Sequence, residues 1–170
     1  MKGIRAAVLV PIRVVASVGP VMTMIRRTVG GSHSGQMAFP GGQFDERRDG
    51  SLLETALRES AEEVGLQPGD ARIIGALPER RTMSSAYIVT PFVALIPDPY
   101  SFRMEPFEVA RIVDAPLAEF TDPGKRRTLE WNWRDRIFEV PSVDIDGEVV
   151  WGLSLGIIED LLASSIMREL

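Results

Sequence analysis

The chain of 170 residues has no cysteine and one histidine. The first absence excludes a disulfide framework, a thiolate metal site and a cysteine nucleophile. The second excludes a multi-histidine metal site, so any metal must be held mainly by oxygen. No stretch approaches ~18 uninterrupted apolar residues, so no transmembrane helix is expected. A basic excess is missing as well. Nineteen Lys and Arg against twenty-four Asp and Glu give a net charge of −5. That balance argues against nucleic acid or an anionic membrane as partner, but leaves room for a local phosphate site. Repeats, low-complexity tracts and linkers are absent. At a usual ~150 residues per domain, residues 1–170 therefore read as one domain. The start, Met1 to Arg5 followed by Ala6 to Ile12, imitates a signal peptide. Its apolar run sits at the ~7-residue minimum, Arg13 interrupts it and no clear cleavage site follows. We read the protein as soluble and cytoplasmic.

Apolar residues make up 45% of the chain, enough at this length to bury roughly two-thirds of the unfolded surface. Ala7–Val10 and Val14–Val15 read as a first strand pair, with a turn at Ser17-Val18-Gly19-Pro20. Further strand-like runs lie at Val21–Ile25, Ala71–Ile74, Tyr87–Ile96, Val109–Val113 and Ile137–Val140. Helices are predicted over Ser51–Val64 and from about Leu153 to Arg168. Strands with few helices interspersed suggest an α/β fold, a mixed sheet flanked by helices on both faces.

The first helix carries most of the information. Ser51 and Glu54 form a capping box, and Gly65-Leu66 with Pro68 closes the other end. Leu53, Ala56, Leu57, Ala61 and Val64 make one apolar stripe. Glu59, Glu62 and Glu63 cluster on the opposite side. Like charges three and four residues apart cost roughly 0.2–0.5 kcal/mol per pair. Carboxylates in the last turn also oppose the helix dipole. Nothing basic follows on the helix; Arg58 is placed to pair with Glu54 or to orient a neighbouring carboxylate. Uncompensated violations of local rules often mark function. The plain alternative is a solvated acidic face. The functional reading is a hard-cation site, because Mg²⁺ works with a few carboxylates, waters and substrate phosphates.

The run Arg58-Glu59-Ser60-Ala61-Glu62-Glu63-Val64-Gly65-Leu66 resembles the second half of the Nudix box. That resemblance implies an α/β/α sandwich around a mixed sheet, and hydrolysis of a diphosphate joined to another group. Ser60 stands where the box has an aliphatic residue. Phe44 and Gly50 stand where its first half has glycine and glutamate. Asp45, Glu46 and Asp49 are candidates for the missing carboxylate, against the plainer reading of a solvated turn. The longer loop is similar to that of the coenzyme A pyrophosphatase subfamily. So are Thr23-Met24-Ile25-Arg26, Ser32 to Gly42, Glu54 to Glu59, Leu77 to Thr82, Tyr87 to Phe92 and Trp151 to Ser154. Gly30-Gly31 replace the subfamily's Leu-Arg.

The resemblance implies a metal-dependent coenzyme A diphosphatase using Mg²⁺ or Mn²⁺ and yielding 3′,5′-ADP and 4′-phosphopantetheine, with acyl-coenzyme A as a further candidate substrate. Glu59 and Glu63 are the first choice of metal ligands, with Glu62 third. Glu62, Glu63, Glu105 and Glu108 are candidates for the base, and the catalytic set is Glu62, Glu63 and Arg58. Arg26, Arg80 and Arg81 are candidates for gripping phosphate bidentately, against solvated surface arginines. His33, Gly41 and Gly42 complete the candidate substrate site. Trp131, Trp133 and Trp151 are candidates for stacking on a base, although Trp151 before an apolar helix reads as core. Two other functions stay open. One is Nudix hydrolysis of ADP-ribose, a dinucleotide or an oxidised nucleotide; the other is a module that binds nucleotide without cleaving it. The expected partner is a small molecule, and the protein a monomer or homodimer.

Overall fold

The computed structural model describes residues 3–28, 35–82 and 86–170. Strand β1 (Ile4–Val15) turns at residues 16–18 into β2 (Gly19–Arg27), its antiparallel partner. The two runs expected to form a strand pair lie instead on β1 alone. β1 continues through Arg13 because that side chain meets Asp98 at 3.1 Å and Asp114 at 2.5 Å.

β1 and β2 pair only over residues 12–15 and 19–22, and then part. The gap is filled by two short strands, β3 (Met37–Ala38) on β2 and β4 (Gly41–Gln43) on β1. The carbonyl of Pro40 between them accepts the Leu9 N–H at 2.9 Å. Pro11 sits where this edge of β1 passes from β4 to β2, so its missing N–H interrupts no ladder there. Neither short strand has a sequence signal of its own. The fork in the hairpin creates them.

Helix α1 (Leu52–Val64) follows, then β5 (Arg72–Ala76), β6 (Arg80–Arg81), β7 (Tyr87–Leu95) and β8 (Val109–Pro116). β7 runs parallel to β1. β5 and β6 are antiparallel to β7, and β8 is antiparallel to β2, so the sheet is mixed. β9 (Arg126–Trp133), β10 (Arg136–Ile145) and β11 (Glu148–Trp151) form a separate antiparallel sheet before helix α2 (Gly152–Ala163). α2 stops short of the expected Arg168. The Ser164 amide and hydroxyl both donate to the Leu161 carbonyl, at 3.0 and 2.7 Å, and a 3₁₀ turn takes over.

The strand period of two sorts the core into two layers. Ala7 and Leu9 of β1 join Ala56 and Val64 of α1, whereas Val10 and Ile12 join Ile157, Ile158 and Leu161 of α2. The helices therefore cover opposite faces, as an α/β sandwich requires. No helix among the described residues is long and apolar enough to cross a membrane.

The fork yields a stability prediction. A Cβ at Gly41 would lie 2.3 Å from the Ala7 carbonyl oxygen and 2.6 Å from the Val8 Cα, both backbone. Overpacking of this kind costs about 1–3 kcal/mol, and each kcal/mol shifts Tm by about 2–4 °C at this size. Gly41→Ala should lower Tm by at least about 2 °C in thermal denaturation. An unchanged Tm would mean the wedge between β1 and β2 is looser than this.

Candidate active site

Local sequence sets both ends of α1. The Ser51 hydroxyl accepts the Glu54 N–H at 3.2 Å, and the Glu54 carboxylate accepts the Gly50 N–H at 2.8 Å. At the other end Gly65 takes φ 69°, the left-handed conformation that suits glycine. The last turn has no basic residue. Its carbonyls are met by a loop instead: the Glu105 and Arg103 N–H groups donate to Glu63 and Val64 oxygens, each at 2.9 Å. That loop carries Glu108 beside the helix end.

The buried face of α1 is Thr55, Ala56, Ser60, Glu63 and Val64. This corrects the expected geometry. Leu53 and Ala61 are only half-buried, and Glu63 lies inside rather than opposite the apolar stripe. Ser60, at the box's aliphatic position, returns its hydroxyl to the Ala56 carbonyl at 2.7 Å. Glu63 is 1% exposed. Its carboxylate accepts the Gly41 N–H at 2.9 Å and faces the Arg27 guanidinium at 3.4 Å. Burial pushes its pKa up to about 7, against the pull of Arg27 and the Gly41 amide. Glu59 is also raised, chiefly by burial and against Arg58. The charge of Glu108 adds to both shifts. Gly42 leaves room for Glu59, since a Cβ there would fall 2.5 Å from its carboxyl carbon.

The carboxylate beside Arg58 is Asp49, which is buried rather than part of a solvated turn. Arg58 grips it bidentately, Nε to Oδ1 at 2.7 Å and Nη2 to Oδ2 at 2.9 Å. The Thr55 hydroxyl and the Asp45 N–H also donate to Asp49. Arg58 holds the Asp49 carboxyl well below the usual carboxylate range. Asp45 closes the turn by accepting backbone N–H groups, and Glu46 is exposed. The remaining Arg58 nitrogen donates to Glu59 at 2.7 Å and Glu62 at 3.2 Å, so of the two expected roles Arg58 takes the second, and Glu54 is not its partner. Glu62 is exposed and also meets Arg48.

A cavity of about 980 Å³ opens beside this cluster. Gly41, Gly42, Glu59, Glu63, Arg80 and Arg81 line it, together with Arg27 and Glu108. Arg26 is not among the lining residues; its guanidinium meets Glu148 at 3.2 Å. Neighbouring strand residues face opposite ways, and Arg27 shares the side of Ile25, which packs with the α1 layer. That period was the signal for Arg27, which the motif match passed over. Arg80 is held by Asp160 at 2.6 and 2.8 Å, its guanidinium over Gly156, where a Cβ would fall 2.5 Å from Nη1. Arg81 lines the cavity with no ion-pair partner among the described residues. Trp131, Trp133 and Trp151 line it too, so Trp151 is half-buried wall rather than core. His33 and Gly30-Gly31 lie outside the described residues.

The donor set suits a hard divalent cation in its chemistry. Glu59 and Glu63 are crowded carboxylates whose raised pKa values report burial and, secondarily, the charge of neighbouring glutamates, which a cation relieves. Among the described residues no three acidic or histidine side chains converge as they stand. Arginines hold the carboxylates instead: Arg58 on Glu59 and Glu62, Arg27 on Glu63. Two carboxylates with waters and substrate oxygens are an ordinary Mg²⁺ environment.

The Asp49–Arg58 pair predicts a pH-dependent variant. Removing one partner of a buried ion pair costs about 3–5 kcal/mol, so Asp49→Asn should lower the unfolding free energy by roughly that much at pH 7. The depressed pKa makes this stabilisation complete above the unfolded value of about 4. It is lost as pH falls through the folded value. The gap between wild type and variant in urea titrations should therefore narrow below pH 4. A constant gap would point to packing rather than charge.

Comparison with known proteins places this geometry in a family. The NUDIX domain family matches residues 4–134. A Photorhabdus laumondii protein named as an uncharacterized Nudix hydrolase, NudL, is 36% identical over 158 residues, covering 92% of this chain and 82% of its own. An Escherichia coli protein of the same name is 35% identical over 158 residues, with 92% and 80% covered. Among solved structures, a MutT/nudix family protein from Enterococcus faecalis superposes with TM-score 0.64 at 15% identity, covering 96% of this chain and 62% of that one. The NUDIX domain of Shewanella oneidensis NrtR, complexed with ADP ribose, superposes with TM-score 0.57 at 20% identity, with 71% and 77% covered. The match over most of the chain and the Arg58 to Leu66 run, with its buried glutamate near the end of α1, together make this chain a member of the Nudix hydrolase family.

Proposed function

We propose that this Nudix hydrolase cleaves the diphosphate of coenzyme A, giving 3′,5′-ADP and 4′-phosphopantetheine, with residues 1–170 acting as one domain. One observation carries the reading. Four stretches that resemble the coenzyme A pyrophosphatases are far apart in sequence, yet they line one cavity: Gln36 to Phe39 with Gly41 and Gly42, Arg80 to Thr82, Tyr87 with Val89, and Trp151 to Ser154. Glu59 and Glu63 line the same space, and Glu62 does not.

Glu59 and Glu63, with Glu62 as third, would hold Mg²⁺ or Mn²⁺. Such an ion neutralises charge on the diphosphate and lowers the pKa of a bound water. The chain's own groups do the rest. The Gly41 N–H and Arg27 fix the Glu63 carboxylate, and Asp49 through Arg58 fixes Glu59. Arg27 also offers positive charge to phosphate at the cavity wall. Water adds across the diphosphate: its oxygen bonds to phosphorus, the bridging P–O bond breaks, and a carboxylate takes the water's proton. Glu108 joins Glu62 and Glu63 as a candidate for that base, since it lines the cavity and its charge is felt at Glu59 and Glu63.

Glu59→Gln or Glu63→Gln should cut kcat by about 100-fold or more at saturating Mg²⁺, a loss of several kcal/mol of charge stabilisation. Near-wild-type turnover in either variant would remove that residue from the metal site.

Substrate choice turns on the 3′-phosphate that distinguishes coenzyme A from its dephospho form. Arg26 and Arg80 are engaged by Glu148 and Asp160, which leaves Arg81 to hold it. A charge-assisted contact contributes roughly 1.5–3 kcal/mol, about one to two decades. Coenzyme A should therefore exceed dephospho-coenzyme A in kcat/KM by about tenfold or more, and Arg81→Gln should narrow that gap. Comparable rates on coenzyme A, its dephospho form and ADP-ribose would sink the assignment and favour a broader nucleoside diphosphate hydrolase.

A further inference from the structure

Helix α2 departs from helix preferences at two positions that share one face. Gly156 sits in its interior, where glycine weakens a helix relative to alanine. Asp160 sits in its last turn, where the dipole opposes a carboxylate. Four residues apart, the two are neighbours on the helix surface. Arg80 of β6 lies against both. Its Nε and Nη2 donate to the Asp160 carboxylate at 2.6 and 2.8 Å. A Cβ at Gly156 would fall 2.5 Å from Nη1 and 2.7 Å from the guanidinium carbon. The glycine makes room for the guanidinium, and the aspartate anchors it. An arginine held this way has given up its rotamer freedom before any ligand arrives.

This seat opens on the substrate space. Arg80, Gly156 and the neighbouring Glu159 all line the cavity. Nη1 has no hydrogen-bond partner among the described residues. Charge decides what it can take. Asp160 neutralises the guanidinium, and the Glu159 carboxylate, 3.4 Å from Arg126, adds negative charge beside it. A phosphate dianion approaching Nη1 would be repelled by both carboxylates. A neutral carbonyl oxygen would not, and an N–H fixed in direction is what such an acceptor needs. Arg81 is the contrast: with no ion-pair partner among the described residues, it keeps its net charge for phosphate.

Resting on the diphosphatase reading above, we propose that Gly156 and Asp160 are positioning residues that seat Arg80 as a directional donor to an amide carbonyl on the pantetheine arm of the substrate. Coenzyme A carries its amide carbonyls on that arm and none on its nucleotide half. A hydrogen bond to a charged group contributes about one to two decades of affinity, and a neutralised guanidinium belongs at the lower end, about tenfold.

The pantetheine arm leaves as 4′-phosphopantetheine, so product binding isolates it. The Mg²⁺-loaded protein is titrated by calorimetry with 4′-phosphopantetheine and with hexyl phosphate, which keeps the phosphate and has no amide. Arg80→Ala should weaken 4′-phosphopantetheine about tenfold and hexyl phosphate by less than about twofold. Asp160→Asn should cause the same selective loss, and in the Arg80→Ala background it should add less than about twofold. Gly156→Ala should also lose 4′-phosphopantetheine selectively, because the added methyl pushes Arg80 off Asp160. It should raise Tm only in the Arg80→Ala background, by about 2–4 °C, where the helix regains its preference for alanine. Equal loss of both ligands in Arg80→Ala would give Arg80 to phosphate and overturn the carbonyl assignment. With coenzyme A still cleaved, unchanged 4′-phosphopantetheine binding in Arg80→Ala or Asp160→Asn would overturn the seat alone. So would a Gly156→Ala stabilisation that does not depend on Arg80. Failure to cleave coenzyme A, with ADP-ribose hydrolysed, would overturn the diphosphatase reading and this proposal together.

Discussion

The buried carboxylate of Glu63 is the constraint around which the molecule is arranged. A charge almost out of reach of water survives only with hydrogen bonds and a counter-charge. Its two partners come from different parts of the fold: the Gly41 amide from the wedge in the β1–β2 fork and Arg27 from the end of β2. Arg27 also donates to the Gly41 carbonyl at 3.1 Å, tying the two partners together. The helix, the fork and the sheet edge thus meet at one charged oxygen pair. Two of the glycines there serve close approach, Gly41 against the β1 backbone and Gly42 against the Glu59 carboxylate.

A second arrangement of the same kind fixes Glu59. Asp49 anchors Arg58 from below, and Arg58 carries one remaining nitrogen to Glu59 and Glu62. The carboxylates are held in place by arginines that balance their charge, so the repulsion apparent in the sequence is offset by cations contributed from loop and sheet as well as by Arg58. The offset is incomplete at Glu63 and Glu59, whose pKa values remain raised. That residual imbalance is what a divalent cation would relieve.

Much of this was legible from residues alone. The Ser51 cap, the left-handed stop at Gly65, the absence of a compensating base in the last turn and the clustering of glutamates are local facts, and local facts are written in helical spacing; of the expected capping box only the Ser51 half forms, since Glu54 accepts the Gly50 N–H instead. The orientation of the helix was not. Periodicity placed the three glutamates on one outer face, but tertiary hydrogen bonds drew Glu63 inward and left Glu62 outside. β3 and β4 were illegible for a similar reason: two and three residues around Pro40 have no period, and only the split hairpin makes them strands. β9 was obscured by its outward polar residues, which alternate with Leu129, Trp131 and Trp133. Arg26 matched a motif and yet turned away to Glu148, whereas Arg27 beside it reaches the site. A motif match names a segment; strand alternation decides which of its side chains faces the chemistry.

The central claim is that Glu59 and Glu63, now held by arginines, form a divalent cation site assembled only in the folded chain. A ligand that binds the folded state and not the unfolded one raises Tm. The most direct measurement is Tm with and without Mg²⁺ for wild type and for the Glu59→Gln/Glu63→Gln double variant. The account predicts a clear rise in wild type that largely disappears in the double variant. An equal Mg²⁺-dependent rise in both proteins would contradict it and put the cation elsewhere, with the Asp45, Glu46 and Asp49 turn as the first place to look.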